Sequence, residues 1–126
     1  LYGFRNLYVP GAVVRHAGSA SSGSRYNAFK AELTARNSVY LAYKNMPPGQ
    51  MLLNLPFLLA GFLIKQLFFL KKGLGKSWWK GLVKGIGLCR SPEGKKRRVR
   101  FDSERLPAYV RIQWELWRNI WYRVHL

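Results

Sequence analysis

At 126 residues the chain is at most one domain, and 22 Lys and Arg against 5 acids leave it a formal charge of +17. That imbalance points to a negative partner surface: nucleic acid, anionic lipid or a phosphorylated substrate. Hydrophobic content of 48% and aromatic content of 15% exclude a disordered basic tail, and the single cysteine, Cys89, excludes an internal disulfide and a Cys-based zinc site.

The chain opens on "LYGFRNLYVPGAVVRHAGSASSG". "FRNLYV" and "AVVRH" are β-prone runs, and Pro10-Gly11 between them predicts a turn. Two short strands make no stable sheet alone. The expectation is therefore that they complete a sheet begun upstream of Leu1, with the chain as the C-terminal part of a longer protein. No charged n-region and apolar h-region lead it, so a signal peptide is not supported. Residues 18–24 read as a small-residue loop.

From Arg25 to Asn45 the spacing of Tyr26, Phe29, Leu33, Tyr40 and Tyr43 predicts a helix, with alanines between the aromatic positions. Pro47-Pro48 and Gly49 end it. The next segment, "MLLNLPFLLAGFLIKQLFFLKKG", has 14 charge-free residues from Met51 to Ile64, short of the ~20 that span a hydrocarbon core. Pro56, Gly61 and Lys65 weaken a span further. The reading favoured is a helix half-sunk in a membrane interface or covering the protein's own core.

"GKSWWKGLVKGIGLCR" follows. Lys76, Lys80 and Lys84 are four apart and share one face, and Trp79, Val83 and Ile86, with Leu82 beside them, make the opposite one. This is the pattern of a basic amphipathic helix lying on a membrane, its Trp residues at headgroup level. Gly81, Gly85 and Gly87 lower its intrinsic helicity, so it is expected to order on contact. "KKRRVR" then places five bases in six residues, Arg97 and Arg98 among them. In the last segment Val110, Trp114, Trp117, Trp121 and Val124 form one apolar stripe, with Arg111, Glu115, Arg118 and Arg123 off it.

Between Lys65 and Arg100 there are twelve Lys or Arg and a single acid, Glu93. Because Trp78, Trp79, Leu82, Val83 and Ile86 interleave these bases, an anionic membrane surface is the favoured partner over nucleic acid. No nucleic-acid-binding signature accompanies the charge. The bland alternative is a solvated charged face. The catalytic inventory is thin: no paired carboxylates, P-loop or Gly-x-Gly-x-x-Gly occurs, and Ser21 and Ser22 carry no nucleophile-elbow pattern. Taken alone, His16 reads as a strand-end residue. Arg36 reads as a helix residue snorkelling to solvent, or as a guanidinium reaching a phosphate.

"LYGFRNLYVPGAVVRHAGSASSG", with "ARNSVYLAYKNMP" about a dozen residues on, resembles the C-terminal region of bacterial family 2 glycosyltransferases, in particular the rhamnosyltransferase-like subgroup. The likeness covers residues 1–46 in sequence and 47–126 only in character. It implies an α/β GT-A fold in the whole protein, of which this chain would hold two short strands followed mainly by helices. Residues 1–46 would end the catalytic domain, and 47–126 would be a membrane-associating region of hydrophobic and basic helices. It also implies transfer of a sugar from a nucleotide-diphosphate donor to a polysaccharide or lipid-linked acceptor, with a divalent metal, Mg²⁺ or Mn²⁺, holding the diphosphate. The likeness sets His16, Ser21, Ser22, Arg36 and Asn37 near that diphosphate, with His16 as metal or phosphate ligand. The acid/base carboxylates of the family are not in this chain, so it should be inactive alone. The expected location is the cytoplasmic face of a bacterial inner membrane.

Overall fold

The computed structural model describes residues 7–14 and 23–125, and among them every regular element is helical. The α/β expectation is therefore corrected. Leu7–Val9 and Ala12–Val14 are irregular, and Leu7 and Val14 stand 88% and 85% exposed. The turn itself forms, with Ala12 N donating to Val9 O at 3.1 Å across Pro10-Gly11. A β-prone run becomes a strand only where a neighbour pairs its backbone. No neighbour among the described residues does so.

Six α-helices follow: α1 (Ala28–Asn45), α2 (Pro48–Leu53), α3 (Leu55–Lys71), α4 (Gly75–Arg90), α5 (Pro92–Lys96) and α6 (Leu106–Val124), the last led by a 3₁₀ turn at Ser103–Arg105. The described residues fall into two compact units, one within residues 17–100 and the other within 1–16 and 101–126.

In the larger unit, Asn27 caps α1 by accepting from Lys30 N at 2.8 Å, and the helix stops before the two prolines. α3 ends in a Schellman turn. Gly73, at φ +71°, donates to Leu70 O at 2.9 Å, and Leu74 donates to Phe69 O at 2.7 Å. That reversal brings α4 back, and α4 then packs chiefly along α1.

The α1–α4 seam is made of small residues. Ala31 and Ala35 are fully buried on α1, and Gly81 and Gly85 are buried on α4. A Cβ at Gly85 would lie 2.8 Å from Val39 Cβ and 2.9 Å from the Arg36 carbonyl oxygen, so the glycines are there to let two backbones approach. Of the aromatic residues whose spacing predicts α1, Phe29 and Tyr26 are exposed. Past the seam, Phe69 stacks on Trp78 with ring centroids 4.9 Å apart, and Phe62, Leu74 and Leu82 close around the pair.

The segment after α4 folds back on the end of α1. Ser91 caps α5 by accepting from Gly94 N at 3.0 Å. The Arg98 guanidinium lies 4.5 Å from the Tyr43 ring, and Val99 N donates to Lys44 O at 2.9 Å. In the other unit, Phe101 stacks on the buried Tyr109, and Asp102 accepts from Arg105 Nε at 2.8 Å at the head of α6.

Candidate functional site

α4 presents three faces. The buried one carries Trp78, Gly81 and Gly85. The other two are exposed: Trp79, Val83 and Ile86 form an apolar stripe, and Lys76, Lys80 and Lys84 form a basic one. At about 100° per residue Lys76 and Trp79 are separated by roughly 60° around the axis, so the two stripes are neighbours and not opposite faces. Trp79 is 61% exposed, whereas Trp78, expected beside it at a membrane surface, is wholly interior. Adjacent residues on a helix point about 100° apart, and only one of the two can face out.

The bases differ in what they hold. The Glu32 carboxylate of α1 accepts a hydrogen bond from Lys84 and lies 3.6 Å from Lys80 Nζ. The hydrogen bond from Lys84, with the Lys80 charge behind it, holds Glu32 below the usual carboxylate range. Two of the three lysines thus tie α4 to α1. Arg97 pairs with Glu93 at 2.6 Å, and Arg98 lies over Tyr43. Lys76, Arg90, Lys95 and Lys96 have no carboxylate partner among the described residues.

α3 is apolar nearly all round, and only Phe69 of it is buried. Leu59, Leu63, Ile64, Leu67 and Leu70 all face outward. At ~1.5 Å per residue its 17 residues reach about 25 Å, short of the ~30 Å hydrocarbon core. Among the described residues no helix is long and apolar enough to cross a membrane. In the other unit, the stripe expected on α6 is present and faces outward: Val110, Trp114, Trp117 and Trp121 are all exposed, Trp114 and Trp121 at 63% and 64%. Arg118 pairs with Glu115 at 2.7 Å beside it.

Of the residues assigned to the donor diphosphate, His16, Ser21 and Ser22 lie outside the described residues. Arg36 and Asn37 hold each other, Arg36 Nε and Nη2 donating to Asn37 Oδ1 at 3.2 and 3.1 Å. Among the described residues no group of three His, Cys, Asp or Glu side chains is placed to hold a metal ion.

Sequence reading passed over a groove of about 470 Å³ bounded by α1, α2, α3, α4 and α5. Ala42, Leu58, Leu59, Phe62 and Ile86 line it, with Cys89 in its wall. Burial pushes the Cys89 thiol above its ordinary pKa. No local pattern marks this groove, because five elements separated in sequence build it.

No protein-family model, curated protein or solved structure matches the chain.

Proposed function

We propose that this chain is a peripheral membrane-docking module that serves a family 2 glycosyltransferase, holding it on the anionic cytoplasmic leaflet of a bacterial inner membrane. One observation carries the docking: exposed apolar and Trp stripes stand on α4 and α6, and on α4 the stripe lies beside a row of lysines. Tryptophan and aliphatic side chains sink to the headgroup boundary, and each base near an anionic leaflet adds about 1 kcal/mol. The outward Leu, Ile and Phe side chains of α3 are apolar surface exposed to water, which lipid would cover.

The enzymatic half rests on the likeness of residues 1–46. It assigns transfer of a sugar from a nucleotide-diphosphate donor to a surface polysaccharide or lipid-linked acceptor, with the divalent metal and the catalytic carboxylates supplied by the rest of such an enzyme. Docking would bring that site to a membrane-bound acceptor. A charge of +17 also attracts nucleic acid, which is the rival reading.

Co-sedimentation separates them. The chain should pellet with phosphatidylglycerol vesicles at physiological salt, pellet less with phosphatidylcholine, and show weak affinity for single-stranded DNA. Binding to DNA without binding to anionic vesicles would replace the reading. For the enzymatic half, His16→Ala in the glycosyltransferase should cut turnover strongly, and unchanged turnover at saturating metal would remove His16 from the site.

A further inference from the structure

We infer that the groove between α1, α3 and α4 takes one acyl chain of an anionic phospholipid, whose phosphate is held by Arg90 and Lys95. The inference deepens the membrane-docking reading and rests on it. The volume, about 470 Å³, falls within the ~300–1,000 Å³ of sites that enclose small ligands. Its lining is apolar apart from the Tyr43 hydroxyl, Cys89, Arg90 and Lys95. So few polar groups could not satisfy the backbone of an extended peptide, whereas a hydrocarbon chain asks for none.

The charges decide what kind of lipid. Arg90 and Lys95 are the charged residues of the lining, both exposed, and neither has a carboxylate partner among the described residues. The nearest acid in sequence, Glu93, is already committed to Arg97. Two cations at the edge of an apolar slot complement one phosphate above one chain, with Arg suited to its oxygens. Leu55 and Leu59 of α3 belong to the lining and are also exposed, which gives a chain an apolar way in from a bilayer.

Cys89 is the sole cysteine and stands in the groove wall, so its reaction with a maleimide reads occupancy directly. Lysophosphatidylglycerol, added to the full chain below its micelle-forming concentration, should slow that labelling about tenfold at saturation. Lysophosphatidylcholine at equal concentration should protect far less. Arg90→Gln with Lys95→Gln should bring the two lysolipids level. Leu59→Glu, a change at an exposed position that leaves helicity by circular dichroism intact, should abolish protection by either.

Equal protection by the two lysolipids in the unaltered chain would overturn the preference for an anionic headgroup, and unchanged protection by lysophosphatidylglycerol in the Arg90→Gln, Lys95→Gln variant would overturn the phosphate assignment. No protection by either, or protection that survives Leu59→Glu, would overturn the groove. Protection by an acidic amphipathic peptide and not by lysophosphatidylglycerol would overturn it in favour of a protein occupant. The lysolipid measurement needs no bilayer, so failure of vesicle docking and failure of the groove are read separately.

Discussion

Gly81 on α4 lies against Ala35 on α1 so closely that a Cβ at position 81 would stand 2.7 Å from Ala35 Cβ and overlap the Glu32 carbonyl. Real Cβ atoms do not approach so near, so the seam is built for hydrogen at that position. Gly81→Ala should therefore destabilise the chain by about 1–3 kcal/mol as the helices are forced apart, despite the gain in helix propensity. Gly87, on the same helix, meets nothing within 4 Å, and Gly87→Ala should stabilise by about 0.5–1 kcal/mol. Urea unfolding followed by circular dichroism compares the two. The same sign for both would show that the seam does not need its glycines.

The Glu32 carboxylate bridges the same two helices through Lys84 and Lys80. Its pKa is lowered in the folded chain, first by the Lys84 hydrogen bond and then by the Lys80 charge. A lowered carboxylate pKa contributes stability that is fully present above the unfolded value and is lost as pH falls through the folded one. Stability should thus decline on the acid side of the ordinary glutamate range, and Glu32→Gln should flatten that decline. Urea midpoints measured from neutral pH down through that range test it. An unchanged slope in the variant would assign the acid sensitivity elsewhere.

Several features were legible in the chain. Pro47-Pro48 stops α1 where expected, Pro10-Gly11 turns, and the stripe of α6 has the expected spacing. Which stripe is buried was not legible. On α1 the aromatic positions drew attention, yet Ala31 and Ala35 form the core, because the partner presents glycines and only small side chains fit between. The spacing of "AELTA" and "GLVKG", small residues four apart on each helix, was the available signal. The two β-prone runs misled because strand propensity describes fit to a neighbouring strand, and no composition supplies the neighbour.

The α6 stripe gives a prediction about membranes. Trp114 and Trp121 are exposed one above the other, and each carries a large apolar surface with a polar N–H suited to the headgroup level. Trp114→Ala and Trp121→Ala should each weaken partitioning to phosphatidylglycerol vesicles by about tenfold, or ~1.4 kcal/mol, with little effect on folding. Lys76→Gln should weaken it less and only at low salt, since this lysine holds no carboxylate among the described residues and acts through charge alone. Binding by all three variants as tight as that of the unaltered chain would remove α6 and Lys76 from the contact.

Trp78 is buried for its ring and not for its N–H. It stacks on Phe69, the Lys65 ammonium lies 5.9 Å from its ring centroid, and its Nε1 is buried with no hydrogen-bond partner among the described residues. An orphaned buried donor costs about 1–3 kcal/mol, so the residue gives back part of what its area contributes. Trp78→Ala removes both and leaves a cavity between α3 and α4, for an expected loss of about 3–5 kcal/mol. Trp78→Phe keeps the stacking partner and deletes the orphan, so its loss should be much smaller than that of Trp78→Ala. Urea midpoints of the two variants decide this. If Trp78→Phe costs as much as Trp78→Ala, the N–H has a partner after all and the indole is held by more than its ring.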